Sequence, residues 1–371
     1  MKNIYKNLIL LLITLIIIFI IIEILLRILF PRPLNFFDLD EELNRKPLKN
    51  FETIYQRSEF TTPIELSSEG LRDHEFSLEK DPETYRIISL GDSFAFGLSV
   101  EKNESYAKLL ESKLKGKKVE VINMGLPGYG NGQELIFFEK YGLKYKPDMV
   151  ILGFYPNNDV IDNLVNKKFI FENGTLIKNP EKIKFSTWIK VKNFLSRKLH
   201  TYSFVHKVIR QNDNVSKILK KIGLVSKVNE EETRNLFFTD FYLREDSNES
   251  KQAWKMTEAI LGKFIKLSKE EGFEFVIFFI PSKQQVNEDK LILFLKENKL
   301  EGKELDVFKQ QRRIANFIGE YDGIILIDPT KEFISKDTNN TFYWEIDGHW
   351  NGEGHKLAAE ILYENLKNKI Q

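Results

Sequence analysis

Apolar and polar positions alternate on three scales along this chain. The longest is a single block at the start. From Leu8 to Ile22 every position except Thr14 is apolar, and beyond Glu23 and Arg27 the block continues through Ile28, Leu29 and Phe30 to Pro31. As a helix, residues 8–30 would span roughly 34 Å at ~1.5 Å per residue, enough for the hydrocarbon core of a bilayer. Glu23 and Arg27 stand four apart and can pair near the interface, where long side chains reach water. A cleaved leader would have a shorter apolar core followed by a small-residue cleavage site, and the sequence has neither. Residues 1–30 are therefore expected to form a short cytoplasmic tail and an uncleaved transmembrane helix. Lys2 and Lys6 precede the helix, whereas Arg27, Arg32, Arg45 and Lys46 fall at or after its end. The positive charges thus leave the orientation open, and the expectation is a single-pass protein with its remaining domain outside the cytoplasm.

The second scale is a set of short apolar runs: Arg86–Leu90, Val119–Ile122, Met149–Leu152, Phe273–Ile280 and Ile324–Ile327. Each is rich in Ile, Val or Phe and ends at Gly, Pro, Asn or Asp, as buried strands do. The third is helical periodicity, over 103–115, 131–145, 251–270, 303–320 and 353–370. Strands alternating with helices predict an α/β protein whose parallel sheet is covered on both faces. In such sheets ligands sit at the carboxyl ends of the strands. Residues 31–85 are polar and irregular in pattern, and are expected to be a stalk and N-terminal extension. Residues 86–371 would then be one domain, interrupted by an insertion at about 160–250 that breaks the alternation.

Composition narrows the function classes. With 42% hydrophobic and 29% charged residues the chain is globular rather than disordered or fibrous. Lys+Arg total 55 against 54 Asp+Glu, and a net charge of +1 argues against a nucleic-acid partner. There is no cysteine, which excludes disulfides, thiolate metal sites and a Cys nucleophile. Locally the balance is different: Leu164 to Lys227 carry 15 Lys+Arg and only the acids Glu172, Glu181 and Asp213. In the same stretch Trp188, Val191, Phe194, Leu195, Leu199, Tyr202 and Val205 recur at roughly helical spacing. Such a basic amphipathic segment could lie on anionic headgroups, cap a site, hold an acidic polymer, or be a solvated helical excursion packed on the core.

The loops after the strands carry the candidate chemistry. The first reads Gly91-Asp92-Ser93-Phe94-Ala95-Phe96-Gly97 and exposes a serine at the rim of the sheet, or else supplies an ordinary helix cap. The second, Asn123-Met124-Gly125-Leu126-Pro127-Gly128-Tyr129-Gly130, permits close backbone approach, and Gly128 could offer its N–H to an oxyanion. The third, Gly153-Phe154-Tyr155-Pro156-Asn157-Asn158-Asp159, places side-chain amides there, or simply turns. The last, Asp347-Gly348-His349-Trp350-Asn351-Gly352-Glu353-Gly354-His355, holds two of the chain's five histidines. An Asp two residues before a His can fix its tautomer and aim the other nitrogen at a nucleophile. His349 and His355 are too isolated from other ligands to suggest a metal site, and His355 is expected to cap or pack the final helix. All four loops fall on one edge of the predicted sheet, where together they supply the parts needed for acyl transfer.

These residues resemble the SGNH (GDSL-type) hydrolase family, in a membrane-anchored form, over roughly residues 86–371. The resemblance implies the family's flavodoxin-like three-layer sandwich, with Ser93 as nucleophile, His349 as general base and Asp347 orienting it. It also implies an oxyanion hole of the Ser93 N–H, the Gly128 N–H and the Asn158 side chain, with Asn123 matching the second block. Two departures stand out. The family's Gly-x-Asn-Asp is stretched here between Gly153 and Asn158, which makes Asn157 a competing donor. Its Asp-x-x-His is shortened to Asp347-Gly348-His349. The Asp-x-His-Trp form resembles the family's polysaccharide O-acetyltransferase relatives, although there the Asp–His pair precedes the serine. Glu69-Gly70-Leu71-Arg72 resembles an element found upstream of the serine in membrane-anchored members.

The expected activity is hydrolysis of ester bonds, of O-acyl or O-acetyl groups on a cell-surface glycan or lipid, without a cofactor. The alternatives are an O-acetyltransferase acting on an envelope polysaccharide and a catalytically silent assembly or glycan-binding module on the same fold. Phosphate-binding and dinucleotide-binding glycine motifs are missing after the first strand. The membrane partners expected are lipid around residues 8–30 and against the basic stretch 164–227.

Overall fold

The computed structural model describes residues 2–29, 35–114, 116, 118–211 and 240–370. Its centre is a five-stranded parallel sheet. In chain order the strands are β5 (Tyr85–Gly91), β6 (Val119–Asn123), β7 (Met149–Phe154), β10 (Glu274–Phe279) and β11 (Ile325–Ile327), and in space they run β11-β10-β7-β5-β6. All five expected strands are present. Counted along the sheet the order is 2-1-3-4-5, the flavodoxin-like arrangement, with its switch point between β5 and β7. Residues point alternately to the two faces. Ile88, Leu90, Val150, Leu152, Phe154, Phe275, Ile277 and Phe279 join one buried cluster. Ile87, Val121, Met149, Ile151, Val276, Phe278 and Ile280 join the other.

Helices close both faces and complete a three-layer α/β sandwich. Asn131–Phe137, Pro156–Val165 and Asn248–Glu271 cover the first face, and Tyr106–Lys113 and Gly352–Leu366 the second. The helical period at 131–145 is continued past Phe137 by a wider turn over Phe138–Gly142 and a tighter one over Leu143–Tyr145. That at 303–320 is realised as Lys309–Ile318. The sequence pattern did not reveal the short helices Lys283–Val286, Glu288–Glu297 and Thr330–Lys336.

Three small antiparallel hairpins decorate the sandwich: β1–β2 (Phe37–Asp40, Asn44–Pro47), β3–β4 (Phe51–Gln56, Thr61–Leu66) and β8–β9 (Phe169–Glu172, Thr175–Lys178). The first two arise from the stretch read as irregular. β4 buries Thr62, Ile64 and Leu66 and exposes the residues between them, a period of two that its short length and polar flanks conceal. The β8–β9 turn is Asn173-Gly174, both at positive φ, as a tight hairpin requires. The rest of the insertion includes helices Thr187–Lys198 and His200–Gln211, while residues 212–227 of the basic stretch lie outside the described residues. At the N-terminus, Lys2–Leu29 is one helix, long and apolar enough to cross a membrane. Glu23 and Arg27 pair at 2.9 Å as their spacing predicts.

Candidate active site

β5 delivers Gly91 and Asp92 to the rim at the switch point, and Ser93 opens a one-turn helix to Phe96. Asp92 caps that helix by accepting from the Phe94 N–H at 2.8 Å, so the capping and site readings of this loop are compatible. Ser93 Oγ lies 2.7 Å from His349 Nε2. His349 Nδ1 in turn is hydrogen-bonded to Asp347 Oδ1. The structure therefore brings the three residues together, across a sequence gap of more than 250 positions. The shortened Asp-x-His spacing works because Gly348 takes φ +83°, a left-handed conformation that folds the two side chains to one side. The His349 ring is backed by Phe94, with ring centroids 5.0 Å apart, and Phe94 is wedged against Tyr155 at 4.6 Å.

Burial pushes the Asp347 carboxyl up, but its bond to His349 and the positive charges of His349 and Arg57 outweigh this and hold it below its ordinary range. Arg57 Nε stands 3.6 Å from Asp347 Oδ2. Glu59, two residues on, accepts the backbone N–H groups of Glu345, Ile346 and Asp347 at 2.8–2.9 Å. The turn of the β3–β4 hairpin thus clasps the loop that carries Asp347 and His349. Nothing in the sequence pointed to Arg57 or Glu59, because the pairing links residues some 290 positions apart.

The second loop meets the serine turn closely. A Cβ on Gly125 would lie 2.6 Å from the Ala95 carbonyl carbon, so glycine is required there. Asn123 fixes the approach: its amide donates to the Ala95 carbonyl at 2.9 Å and its Oδ1 accepts from the Gly125 N–H at 3.0 Å. It supports the site without lining it. Gly128, at φ +69°, lines the same grooves as Ser93 and His349. Arg45 lies against it, donating to the Pro127 carbonyl at 2.7 Å.

Both asparagines of the third loop face the groove that holds Ser93. Asn158 Nδ2 donates to Asp92 Oδ2 at 2.7 Å, whereas Asn157 Nδ2 donates to the Tyr242 hydroxyl at 3.3 Å. Burial holds the Asp92 carboxyl above its ordinary value, although Asn158 and the Phe94 N–H pull it back down. An amide carries two N–H donors, so the bond to Asp92 orients Asn158 and leaves its other donor.

The Glu69–Arg72 segment is absorbed structurally. The buried Arg72 guanidinium donates to the carbonyls of Pro63, Phe96, Gly97 and Val100, joining β4 to the end of the serine turn. Arg72→Met should lower stability by at least about 3 kcal/mol, since hydrogen bonds from a charged donor are worth about 1.5–3 kcal/mol each. Chemical denaturation in detergent measures this, and a loss within about 1 kcal/mol would contradict the keystone role.

His355 sits apart from the reacting groups, buried in the first turn of the last helix and stacked on Tyr106 at 6.1 Å. Its Nδ1 accepts the Tyr106 N–H at 3.3 Å. Burial, aided by the charges of His349 and Arg72, pushes its pKa down to about 3. In the unfolded chain an imidazole titrates at about 6.5. Between these values the unfolded state binds the proton, so the stability this residue contributes is complete above about 6.5 and is lost as pH falls. Glu134 and Asp159, raised by burial, act in the opposite sense. Melting curves across this window should show a shallower acid-side decline in His355→Gln than in the wild type; equal slopes would count against this assignment.

The fold and the site define a class: a three-layer α/β protein with a Ser–His–Asp relay at the switch point of a flavodoxin-like sheet. No family model matches the chain, and no curated protein matches it in sequence. Among solved structures it is similar to a member of the lipolytic G-D-S-L family from Veillonella parvula, with 13% identity over 76% of this chain and 98% of that one, at a TM-score of 0.39. It is also similar to an acetyl xylan esterase, AlAXEase (13% identity, 76% and 99% coverage, TM-score 0.39). A third is TesA (11% identity, 76% and 98% coverage, TM-score 0.38). Function is therefore argued from the site's own geometry.

Proposed function

We propose that this chain is a membrane-anchored serine hydrolase of the SGNH type that cleaves ester bonds. The observation that carries this reading is the continuous relay from Ser93 Oγ through His349 to Asp347. His349 Nε2 removes the Ser93 proton as Oγ bonds to the ester carbonyl carbon, and the carbonyl π electrons move onto oxygen. The Ser93 and Gly128 N–H groups and the free donor of Asn158 hold that oxyanion. When the tetrahedral intermediate collapses, the bond to the leaving alkoxide breaks and His349 returns the proton to it. Water, deprotonated by His349, then releases the acid and regenerates Ser93. Asp347 stays ionised throughout and stabilises the imidazolium.

Substrates of this reading are O-acyl or O-acetyl esters of a cell-envelope glycan or lipid, met by a domain held outside the cytoplasm by residues 1–30. Two grooves, of about 770 and 740 Å³, reach Ser93 and His349 from different sides. That arrangement also supports a transferase, with a sugar hydroxyl in place of water; acetyl accumulating on an added glycan rather than as free acid would favour it.

The test is labelling of the full chain in detergent with a fluorophosphonate probe beside Ser93→Ala. Labelling of the wild type alone is expected, and a folded wild type that stays unlabelled overturns the nucleophile. For the oxyanion hole, Asn158→Ala should lower kcat on the order of 10²–10³-fold, with Asn157→Ala within a few-fold of wild type. The reverse pattern would transfer the role to Asn157.

A further inference from the structure

The apolar residues from Leu8 to Ile22 are each between 43% (Phe19) and 64% (Leu10) exposed, yet Glu23 in the same helix is only 8% exposed. Its carboxylate accepts the backbone N–H groups of His200 and Thr201 at 2.9 and 2.8 Å and the Thr201 hydroxyl at 2.6 Å. Arg27 completes the joint by donating to the Lys198 carbonyl at 2.8 Å. About 20 helical residues fill a hydrocarbon core of roughly 30 Å. The apolar run from Leu8, interrupted only by Thr14, ends at Ile22, so the joint at Glu23 falls toward the boundary of lipid and water, where Glu23 and Arg27 can pair.

The helix Thr187–Lys198 runs into this joint. It exposes Trp188 (50%), Val191 (40%) and Phe194 (54%) at i, i+3 and i+6, with exposed Lys190 and Lys198 on the same helix. An exposed aromatic and aliphatic stripe beside lysines is the pattern of a helix lying in the membrane interface. The other side of the same helix, through Ile189, Lys192 and Ser196, walls the groove of about 770 Å³ that ends at Ser93 and His349. Arg45, Arg57 and Lys192 line that groove, and no acid does among the described residues.

We propose that the helix 187–198 is a second membrane contact, which lays the domain on the bilayer so that this groove opens at the headgroup layer. The groove then admits an anionic amphiphile resident in the membrane, whose acyl ester reaches Ser93 from the lipid side while the three cations hold its charged group. The substrate class rests on the serine-hydrolase reading; the membrane contact does not.

The full chain would be reconstituted in phosphatidylcholine vesicles with and without phosphatidylglycerol, containing lipids spin-labelled high on the acyl chain. Quenching of tryptophan emission is expected in wild type and should be largely lost in Trp188→Phe, because Trp254 and Trp350 are buried within the domain and the half-buried Trp344 packs against Phe60. Activity would be followed on a long-chain fluorogenic ester dissolved in the vesicles and on a short water-soluble ester. Val191→Asp with Phe194→Asp should slow the vesicle-borne ester about tenfold or more and leave the soluble ester within about twofold. Phosphatidylglycerol should raise wild-type turnover of the vesicle-borne ester. Quenching that is equal in wild type and Trp188→Phe, or equal losses on the two esters, overturns the proposal. A wild type that cleaves neither ester overturns the hydrolase reading, and the quenching result still decides the membrane contact.

Discussion

Ser93→Ala is expected to reduce ester turnover on the order of 10⁴–10⁶-fold while leaving the fold intact. The size follows from the unit behaviour of such relays: without the nucleophile, neither base nor orienter has a step to perform, and only binding and the oxyanion donors remain. The structural effect should be small, because the side chain of Ser93 makes one hydrogen bond among the described residues, to His349, and Phe94, itself packed on Trp350, still backs the imidazole. Steady-state kinetics beside a thermal melt separate the two effects. A melt unchanged with activity lost is the expected result. Activity retained in Ser93→Ala would remove the acyl-enzyme mechanism, whereas a folded wild type without ester turnover would leave a silent glycan-binding or assembly module as the better account.

Asp347→Asn should lower kcat by about 10⁴-fold, the loss expected when an imidazole is held in the wrong tautomer. The carboxylate accepts from His349 Nδ1, and an amide nitrogen in its place would donate to that atom, so that Nε2 carries the proton and has no lone pair to accept from Ser93. Glu59 and its three backbone donors hold the loop in place whatever residue stands at 347, so the geometry should survive the substitution. Measured kcat at neutral pH, with near-ultraviolet circular dichroism as the check on tertiary structure, decides the matter. A loss below about tenfold would mean that Asp347 orients nothing, and Asp92, the other carboxylate near the serine, would then be the group to examine.

The site was legible where chemistry is local. Ser93 and its capping Asp92 sit on one turn, and Asp347 and His349 on another, so each pair is a short string of residue types with a shared purpose. Arg57 and Glu59 were invisible because a lone Arg and Glu in a polar stretch have no pattern. Their meaning comes from a hairpin turn that lands on a loop near the other end of the chain. Asn158 against Asn157 was undecidable for a similar reason. Adjacent asparagines on a helix start point in directions about 100° apart, and only the position of Asp92 relative to Tyr242 distinguishes their partners.

By itself the sequence determined the five strands of the central sheet, the main helices covering them, the parallel α/β class and the apolar N-terminal helix. These depend on periodicity and on the type of residue buried, which are properties of short windows. It also picked out the loops that the structure brings to one edge of the sheet, since loops after parallel strands converge whatever the details of packing. Tertiary structure alone decided the clasp of the β3–β4 hairpin on the His349 loop, the Arg72 keystone under the serine turn, and the docking of the basic helices on Glu23. Each is a contact between segments far apart in the chain, and the free energy of such a contact depends on distances and burial that no window of sequence contains.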